Sequence, residues 1–470
     1  MSTQTLPRTA VPSGAAVAVK PDRRRWWVLA TMTGALSMIM IDQTVVSVAL
    51  PTMQRDLGLS VPGVQWVVNA YLLVLAVLVA LGGRVADLLG AERTFRAGSA
   101  LFVLSSALCG LASSEGAIIA ARGLQGVGAA MLVPSTGALV INAFEPRERG
   151  KAMGIYSGIS MVFLALGPLV GGLLTQGVSW RAVFYINLPI GLAILAAAQV
   201  TLPRRKREAV KLSAIDWPGL PLLVGGLGAL VLALMQGQTW GWTSTAVVAL
   251  LAVAAVLLPA FLWWETRAAQ PLVRLDLYQR QNFGGDSIIL GGVQFALVGA
   301  SVFGAIFSQH VLGFSAIRAG AGMLPLTLPL LLTAPFGGRL YDKVGPRPLL
   351  VAGSLLISAG LAWLGWHLHL QEWTPLVPGY VAMGVGIGLT ISPATTDALG
   401  AASPTERSQA SGIVQTVRQV GGVIGIAVLG AIVAHGSTVT TGVSAAYWTG
   451  AAVTALMALV ALVAVRRRRG

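Results

Sequence analysis

The sequence predicts an all-α polytopic membrane protein, and three observations carry that expectation. The 470 residues are 55% hydrophobic and only 10% charged, where about 25% charged is usual in a soluble domain. Apolar stretches of about 20 residues, enough to cross a bilayer, recur along the whole chain. They are too long for the strands of a transmembrane barrel. The third observation is the placement of the positive charge.

Fourteen spans are read, over 26–50, 65–83, 94–113, 116–141, 152–175, 181–202, 217–236, 244–264, 283–309, 318–337, 348–368, 376–396, 410–434 and 446–465. With a cytoplasmic N-terminus, 27 of the 32 Lys and Arg fall on cytoplasmic segments, including "DRRR" at 22–25, "RRKR" at 204–207 and "RRRR" at 466–469. Arg55, Arg181 and Arg318 fall outside, while Arg122 and Arg418 lie within spans. This asymmetry is the positive-inside bias. The net charge of +15 is thus assigned to anionic lipid head groups and not to nucleic acid. A multi-pass cell-membrane protein with both termini cytoplasmic is expected. Residues 1–25 form a polar tail without a cleavable signal pattern, so the first helix is expected to direct insertion.

Other chemistries are poorly supplied. Cys109 is the single cysteine, so disulfides are not expected. His310, His367, His369 and His435 fall near outer helix ends, away from metal-ligand spacing. No GxxxxGK[ST] loop occurs, and no nucleophile–base constellation is apparent. Neither an enzyme, a bound cofactor nor a metal is expected.

The chain repeats itself. "GRVADLLG" at 83–90 matches "GRLYDKVG" at 338–345, an offset of 255, and "ERGKAMGI" at 148–155 matches "ERSQASGI" at 406–413, an offset of 258. "GVG" at 126–128 recurs at 384–386. Shifting the first span by the same offset lands on the ninth. Two six-helix bundles at 26–202 and 281–465 follow, separated by a linker at 203–280 with two inserted helices and followed by a basic tail at 466–470. Paired halves of this kind place a substrate site near the midplane between them.

The residues also resemble a known family across nearly the whole chain: the fourteen-helix drug:proton antiporters of the major facilitator superfamily. "IDQTVVSVALP" (41–51) and "VQWVVNAYLL" (64–73) are similar to its first- and second-helix signatures. "GRVADLLG" resembles the superfamily's loop motif, "RGLQGVGAA" (122–130) its fourth-helix motif and "GPLVGG" (167–172) the fifth-helix motif of antiporters. "WRAVFYINLPIG" (180–191) and "QHVLGFSAIRAG" (309–320) look like further marks of the fourteen-helix branch. The chain departs from these patterns at Leu88, Ala91 and Glu92, at Phe163 and at Ala182. The resemblance implies a major facilitator fold and proton-coupled export of lipophilic small molecules, drugs or antibiotics. A proton gradient would supply the energy, and a monomer is expected.

Arg122 stands out because an unpaired guanidinium in hydrocarbon costs at least about 2.5–3.5 kcal/mol. At 1.5 Å per residue, Asp42 on the first helix and Arg122 on the fourth lie at similar depth in the outer half of the membrane. They are expected to pair, either as a static brace or as a proton site. Burial and a nearby cation act on a carboxyl in opposite directions, so an acid held between them can take and release a proton. Asp42 is the expected proton carrier and Arg122 its counter-charge. Asp286 is a second candidate for proton coupling, or an interfacial acid near Arg280; Asp397 reads as interfacial. Arg418 is expected to bind an anionic part of a substrate, to neutralise an acid or to snorkel inward.

Gating is assigned to small and acidic residues. Gly167, Gly171 and Gly172 permit close helix approach and Pro168 a bend, which either packs helix 5 or also seals the cavity against protons. Asp87 and Asp342, each in GR-x-x-D-x-x-G with Gly83 and Gly90 or Gly338 and Gly345, are expected to bond exposed amides at a helix N-terminus, or else to be solvated. Trp66, Asn69, Tyr71, Asn187 and Gln309 are read, with Arg418, either as lining a cavity of mixed polarity or, for the first five, as ordinary packing residues. An importer on the same fold, or a scaffold or receptor, remains the alternative.

Overall fold

A computed structural model describes residues 23–202, 216–280 and 282–466. The expected N-terminal tail up to Asp22, the "RRKR" run and residues 467–469 of the C-terminal run lie outside the described residues. Among the described residues thirteen helices are long and apolar enough to cross a membrane, or fourteen with a bent pair counted as one span. The first six are α1 (Arg24–Leu57), α2 (Val61–Leu89), α3 (Ala91–Leu111), α4 (Glu115–Ala143), α5 (Arg149–Gly177) and α6 (Ala182–Thr201). The inserted pair is α7 (Gly219–Trp240) and α8 (Thr245–Glu265). The last six are α9 (Phe283–His310), α10 (Leu324–Val344), α11 (Pro346–His367), α12 (Val377–Gly400), α13 (Arg407–Ala434) and α14 (Val439–Ala464).

Every expected span holds a helix, and most of the helices outrun the apolar stretches. α2 starts four residues before its apolar run because Ser60 caps it, accepting a hydrogen bond from the Gly63 amide. Ser114, Ser244 and Thr438 cap α4, α8 and α14 in the same way. Such caps satisfy amides that have no partner in the first turn. The expected span at 318–337 is shifted: a short helix at Ala316–Ala321 precedes Leu324–Val344. In α5, the pieces Arg149–Leu164 and Leu169–Gly177 lie at 42° to one another, where Pro168 removes a backbone donor.

Packing repeats as the sequence does. In the first half α1 lies against α5, and α2 and α3 lie against α4; in the second, α9 lies against α13, and α10 and α11 against α12. The halves meet where α5 packs on α10 and α13 on α2. The inserted pair is attached to one seam. Leu223, Leu227 and Val231 of α7 join Ala76 and Val77 of α2, Phe261 of α8 and Leu272 in one buried cluster. α8 leaves Val253, Val256 and Leu262 exposed, an apolar face suited to lipid and not to water.

Candidate functional site

The expected pair is present, inside a larger polar network. Arg122 Nη1 donates to Asp42 Oδ2 at 2.7 Å, and both side chains are sealed from solvent, at 1% and 0% exposure. Arg122 Nη1 also donates to Gln125 Oε1 at 2.7 Å, and Nε donates to the Val67 carbonyl at 3.0 Å. The other carboxylate oxygen, Asp42 Oδ1, accepts from Gln125 Nε2 and from Asn187 Nδ2, both at 2.9 Å. Asn187 Nδ2 also donates to Ser106 Oγ at 3.0 Å. The Tyr71 ring lies beneath the guanidinium, 4.3 Å from its carbon. Five helices, α1, α2, α3, α4 and α6, thus converge on one buried carboxylate.

Sequence reasoning placed Asp42 and Arg122 together but assigned Tyr71 and Asn187 to a substrate cavity; both belong to this network instead. It missed Gln125 and Ser106. The signal for Gln125 was its position one turn after Arg122, on the same face of α4. Removing one member of a buried ion pair costs about 3–5 kcal/mol because the other charge is stranded. Here the Val67 carbonyl, Gln125 and the Tyr71 face would still hold Arg122 if Asp42 lost its charge.

A separate cavity of about 110 Å³ lies between the halves, lined from α1, α2, α4 and α5 on one side and α9, α12 and α13 on the other. Drug-sized sites measure about 300–1,000 Å³, so the halves stand close together here. Arg418 lines it, with Tyr156, Gln43, Gln294, Gln415 and Gln419. Because α13 begins at Arg407, Arg418 sits about 16 Å along that helix at 1.5 Å per residue. It does not snorkel: Nη1 donates to Gln415 Oε1 at 2.9 Å and Nη2 to Gln294 Oε1 at 3.1 Å. Trp66, Asn69 and Gln309 are not among the residues lining this cavity. Gln309 is exposed, at the C-terminal end of α9.

Asp42 and Gln43 are neighbours on α1, one facing the buried network and the other the cavity. The proton-site candidate and the cavity are therefore distinct but share a helix. α5 presses on that helix: a side chain at Gly167 would collide with Thr44, and one at Gly171 would stand 2.6 Å from the Val45 carbonyl. Gly172 differs, since nothing lies within 4 Å of where its side chain would point; it faces away from the contact.

The side that carries the two GR-x-x-D-x-x-G loops is tied shut twice. Asp87 Oδ1 and Oδ2 accept from the amides of Ser408 (3.1 Å) and Gln409 (2.9 Å) in the first turn of α13. Asp342 Oδ1 and Oδ2 accept from the amides of Gly150 and Lys151, both 3.1 Å, in the first turn of α5. Helix N-termini offer unpaired amides and a dipole favourable to an anion. Gly83 and Gly338 allow the approach, each abutting backbone of the opposite half, at Ser408 and Gly150 respectively. Gly90 and Gly345 turn the chain with φ of 100° and 77°.

Asp286, expected near the interface, is fully buried, and neither of its carboxyl oxygens has a hydrogen-bond donor. Its neighbour is Asp397, which accepts from Asn282 at 2.8 Å and Tyr341 at 2.9 Å. Asp286 is therefore beside a second acid and not beside Arg280, which bonds Glu406 and Asp276.

Two parallel repeated bundles, a cavity between them and reciprocal latches on one side are the architecture of a secondary transporter. The Major Facilitator Superfamily profile matches residues 32–426 and 289–470. The puromycin resistance protein pur8 of Streptomyces alboniger is 39% identical over 449 residues, 93% of this chain and 86% of that protein. The tetracenomycin C resistance and export protein of Streptomyces glaucescens is 35% identical over 413 residues, 87% and 76% of the two chains. The proton:xylose symporter XylE, at 15% identity, shares the fold with a TM-score of 0.70 over 95% of this chain and 97% of that one. The chain belongs to the Major Facilitator Superfamily, within its drug-efflux transporters, and is not an enzyme.

Proposed function

We propose that this protein is a proton-coupled antiporter that exports lipophilic small molecules across the cell membrane. The observation that carries the reading is the sealed Asp42–Arg122 pair, because intramembrane ionisable residues mark ion pathways. When Asp42 takes a proton from the outer side, its attraction to Arg122 falls. The guanidinium then rests on Gln125, the Val67 carbonyl and the Tyr71 face. α1, which carries Asp42 and Gln43, is free to shift against α4 and α5, and the cavity beside Gln43 changes with it. Opening toward the cytoplasm requires Asp87 and Asp342 to leave their helix ends. Loss of the proton to the cytoplasm then restores the pair and the latches.

The relatives' names, which speak of puromycin resistance and of tetracenomycin C export, favour outward transport of antibiotics or similar compounds. The proton gradient supplies the energy without a bound cofactor, both termini lie in the cytoplasm, and one chain suffices. Everted vesicles test the reading. An acid interior should drive uptake of substrate, whereas an importer would show proton-driven efflux and a scaffold no movement. Asp42→Asn should fold and reach the membrane yet lose uptake against a gradient. Concentrative uptake by that variant would show that the proton rides elsewhere.

A further inference from the structure

The central cavity has an uneven chemistry. Arg418 is its one charged lining residue, and none of the others is an acid. Among the described residues no carboxylate lies within ion-pairing distance of Arg418, whose Nε has no acceptor. Its two hydrogen-bond partners, Gln415 and Gln294, are neutral. A cation deep in a membrane protein is expected to pair with an acid or with backbone carbonyls. Arg122 obeys that rule and Arg418 does not. The remaining lining divides into an apolar part, with Leu36, Met40 and Leu75, and an oxygen-accepting part made of glutamine amides and the Tyr156 and serine hydroxyls.

Building on the exporter reading, we propose that the cavity selects amphiphilic organic anions: aromatic molecules with a carboxylate or an ionised phenol or enol. The anionic oxygens pair with Arg418, which can present two parallel donors once a glutamine is displaced. Gln43, Gln294 and Gln419 bond carbonyl and hydroxyl oxygens, and the aliphatic wall takes the ring system. The low dielectric of the site strengthens that pairing and raises the barrier to cations. A lipophilic cation of similar size is repelled by Arg418 and finds no acid in return.

Xanthene dyes give a matched probe set: fluorescein is anionic, its methyl ester methyl ether is neutral, and rhodamine 6G is cationic. With the full chain in nanodiscs, fluorescein should bind at least tenfold more tightly than rhodamine 6G. Arg418→Gln should weaken fluorescein about tenfold or more and leave the neutral dye within about twofold, while Arg418→Lys should keep part of the affinity. Gln415→Glu sets a carboxylate beside the guanidinium without removing it. It should abolish the preference for fluorescein even if Arg418→Gln does not fold. Tighter binding of rhodamine 6G, no binding of fluorescein, or unchanged selectivity in Gln415→Glu would each overturn the proposal. Transport in everted vesicles separates this result from the exporter reading. Proton-driven uptake of rhodamine 6G alone would keep the exporter and discard the anion site. Selective fluorescein binding without proton-driven uptake of any dye would do the reverse.

Discussion

The two halves agree at the surface that carries the latches and differ in the membrane. At the surface, Asp87 and Asp342 make the same pair of amide bonds, 255 residues apart. Arg25 bonds Glu148, and Arg280, also 255 residues on, bonds Glu406. In the membrane the correspondence ends. The repeat positions of Asp42 and Arg122 are Leu297 and Tyr380, and the repeat position of Arg418 is Ser160. The first half keeps a complete, sealed acid–base network. The second half contributes a lone guanidinium to the cavity and a pair of acids, Asp286 and Asp397, near the latch end. Opening and closing must work alike in both halves for the two to rock against each other, whereas proton and substrate chemistry has to be done once. Duplication preserved the first and divided the second.

The largest effect expected from breaking this comparison is at Arg122. Arg122→Ala strands a buried carboxyl and should cost about 3–5 kcal/mol of stability together with nearly all export. Arg122→Lys keeps the charge but not the fork, and should retain activity within about tenfold, equivalent to about 1.4 kcal/mol. Export rate against pH, normalised to folded protein, is the check. The pH profile should move in the Ala variant and much less in Lys. An unmoved profile in folded Arg122→Ala would show a brace and not a proton site.

The latches come next. A hydrogen bond to a charged group contributes about 1.5–3 kcal/mol, so losing one carboxylate charge should raise cytoplasmic opening about tenfold. The seams are not equally reinforced. At the α2–α13 seam Gln409 also bonds the Leu272 carbonyl, and Arg84 bonds Gln270 at 3.3 Å, tying in the segment that follows the inserted helices. Asp342→Asn should therefore loosen the protein more than Asp87→Asn, and the double variant most of all. Ser411 lines the cavity and the single cysteine, Cys109, is buried. Ser411→Cys in a Cys109→Ser background can thus be labelled with an impermeant maleimide from the cytoplasmic side. Labelling rates unchanged by either Asn substitution would mean that these bonds do not hold the structure shut.

The helices and the repeat were legible because long apolar runs and duplicated loop motifs leave strong patterns in one dimension. Asp42 and Arg122 were legible because charge in hydrocarbon demands a partner. The rest of the site was harder to see. Gln125 and Ser106 are neutral and unremarkable in sequence, and only side-chain direction decides whether Asn187 meets the cavity or Asp42. The spacing of Gln415, Arg418 and Gln419 on one face of α13 carried a readable signal, since residues three and four apart are neighbours on a helix. Asp286 and Asp397 are more than a hundred residues apart, with no local pattern that joins them. Arg25 and Arg280 lie outside the repeated motifs, so their shared place in the repeat emerged only from their glutamate partners.

The smallest effect is expected at Glu406, and it measures how firmly the inserted segment is held. Glu406 lies between α12 and α13 and accepts from Arg280 Nη1 at 2.7 Å and from Arg274 Nη1 at 2.5 Å. Both arginines belong to the stretch that follows α8. The hydrogen bonds from Arg280 foremost, then those from Ser403 and the charge of Arg274, outweigh burial and hold the Glu406 carboxyl down at about 2, against an ordinary 4.5. A depressed carboxyl contributes stability that is fully present above its unfolded value and lost as the pH falls through its folded one. The contribution should thus be constant from pH 8 to about 5 and disappear between about 4.5 and 2. Arg274 and Arg280 are 36% and 31% exposed, so solvent screening limits it to about 1 kcal/mol. Thermal unfolding in detergent should show Glu406→Gln melting about 1–2 °C below the parent at pH 7, with that gap closing as the pH is lowered toward 2. A gap that persists undiminished at the lowest pH would assign the loss to packing around the loop and not to the Arg274–Glu406–Arg280 charge cluster.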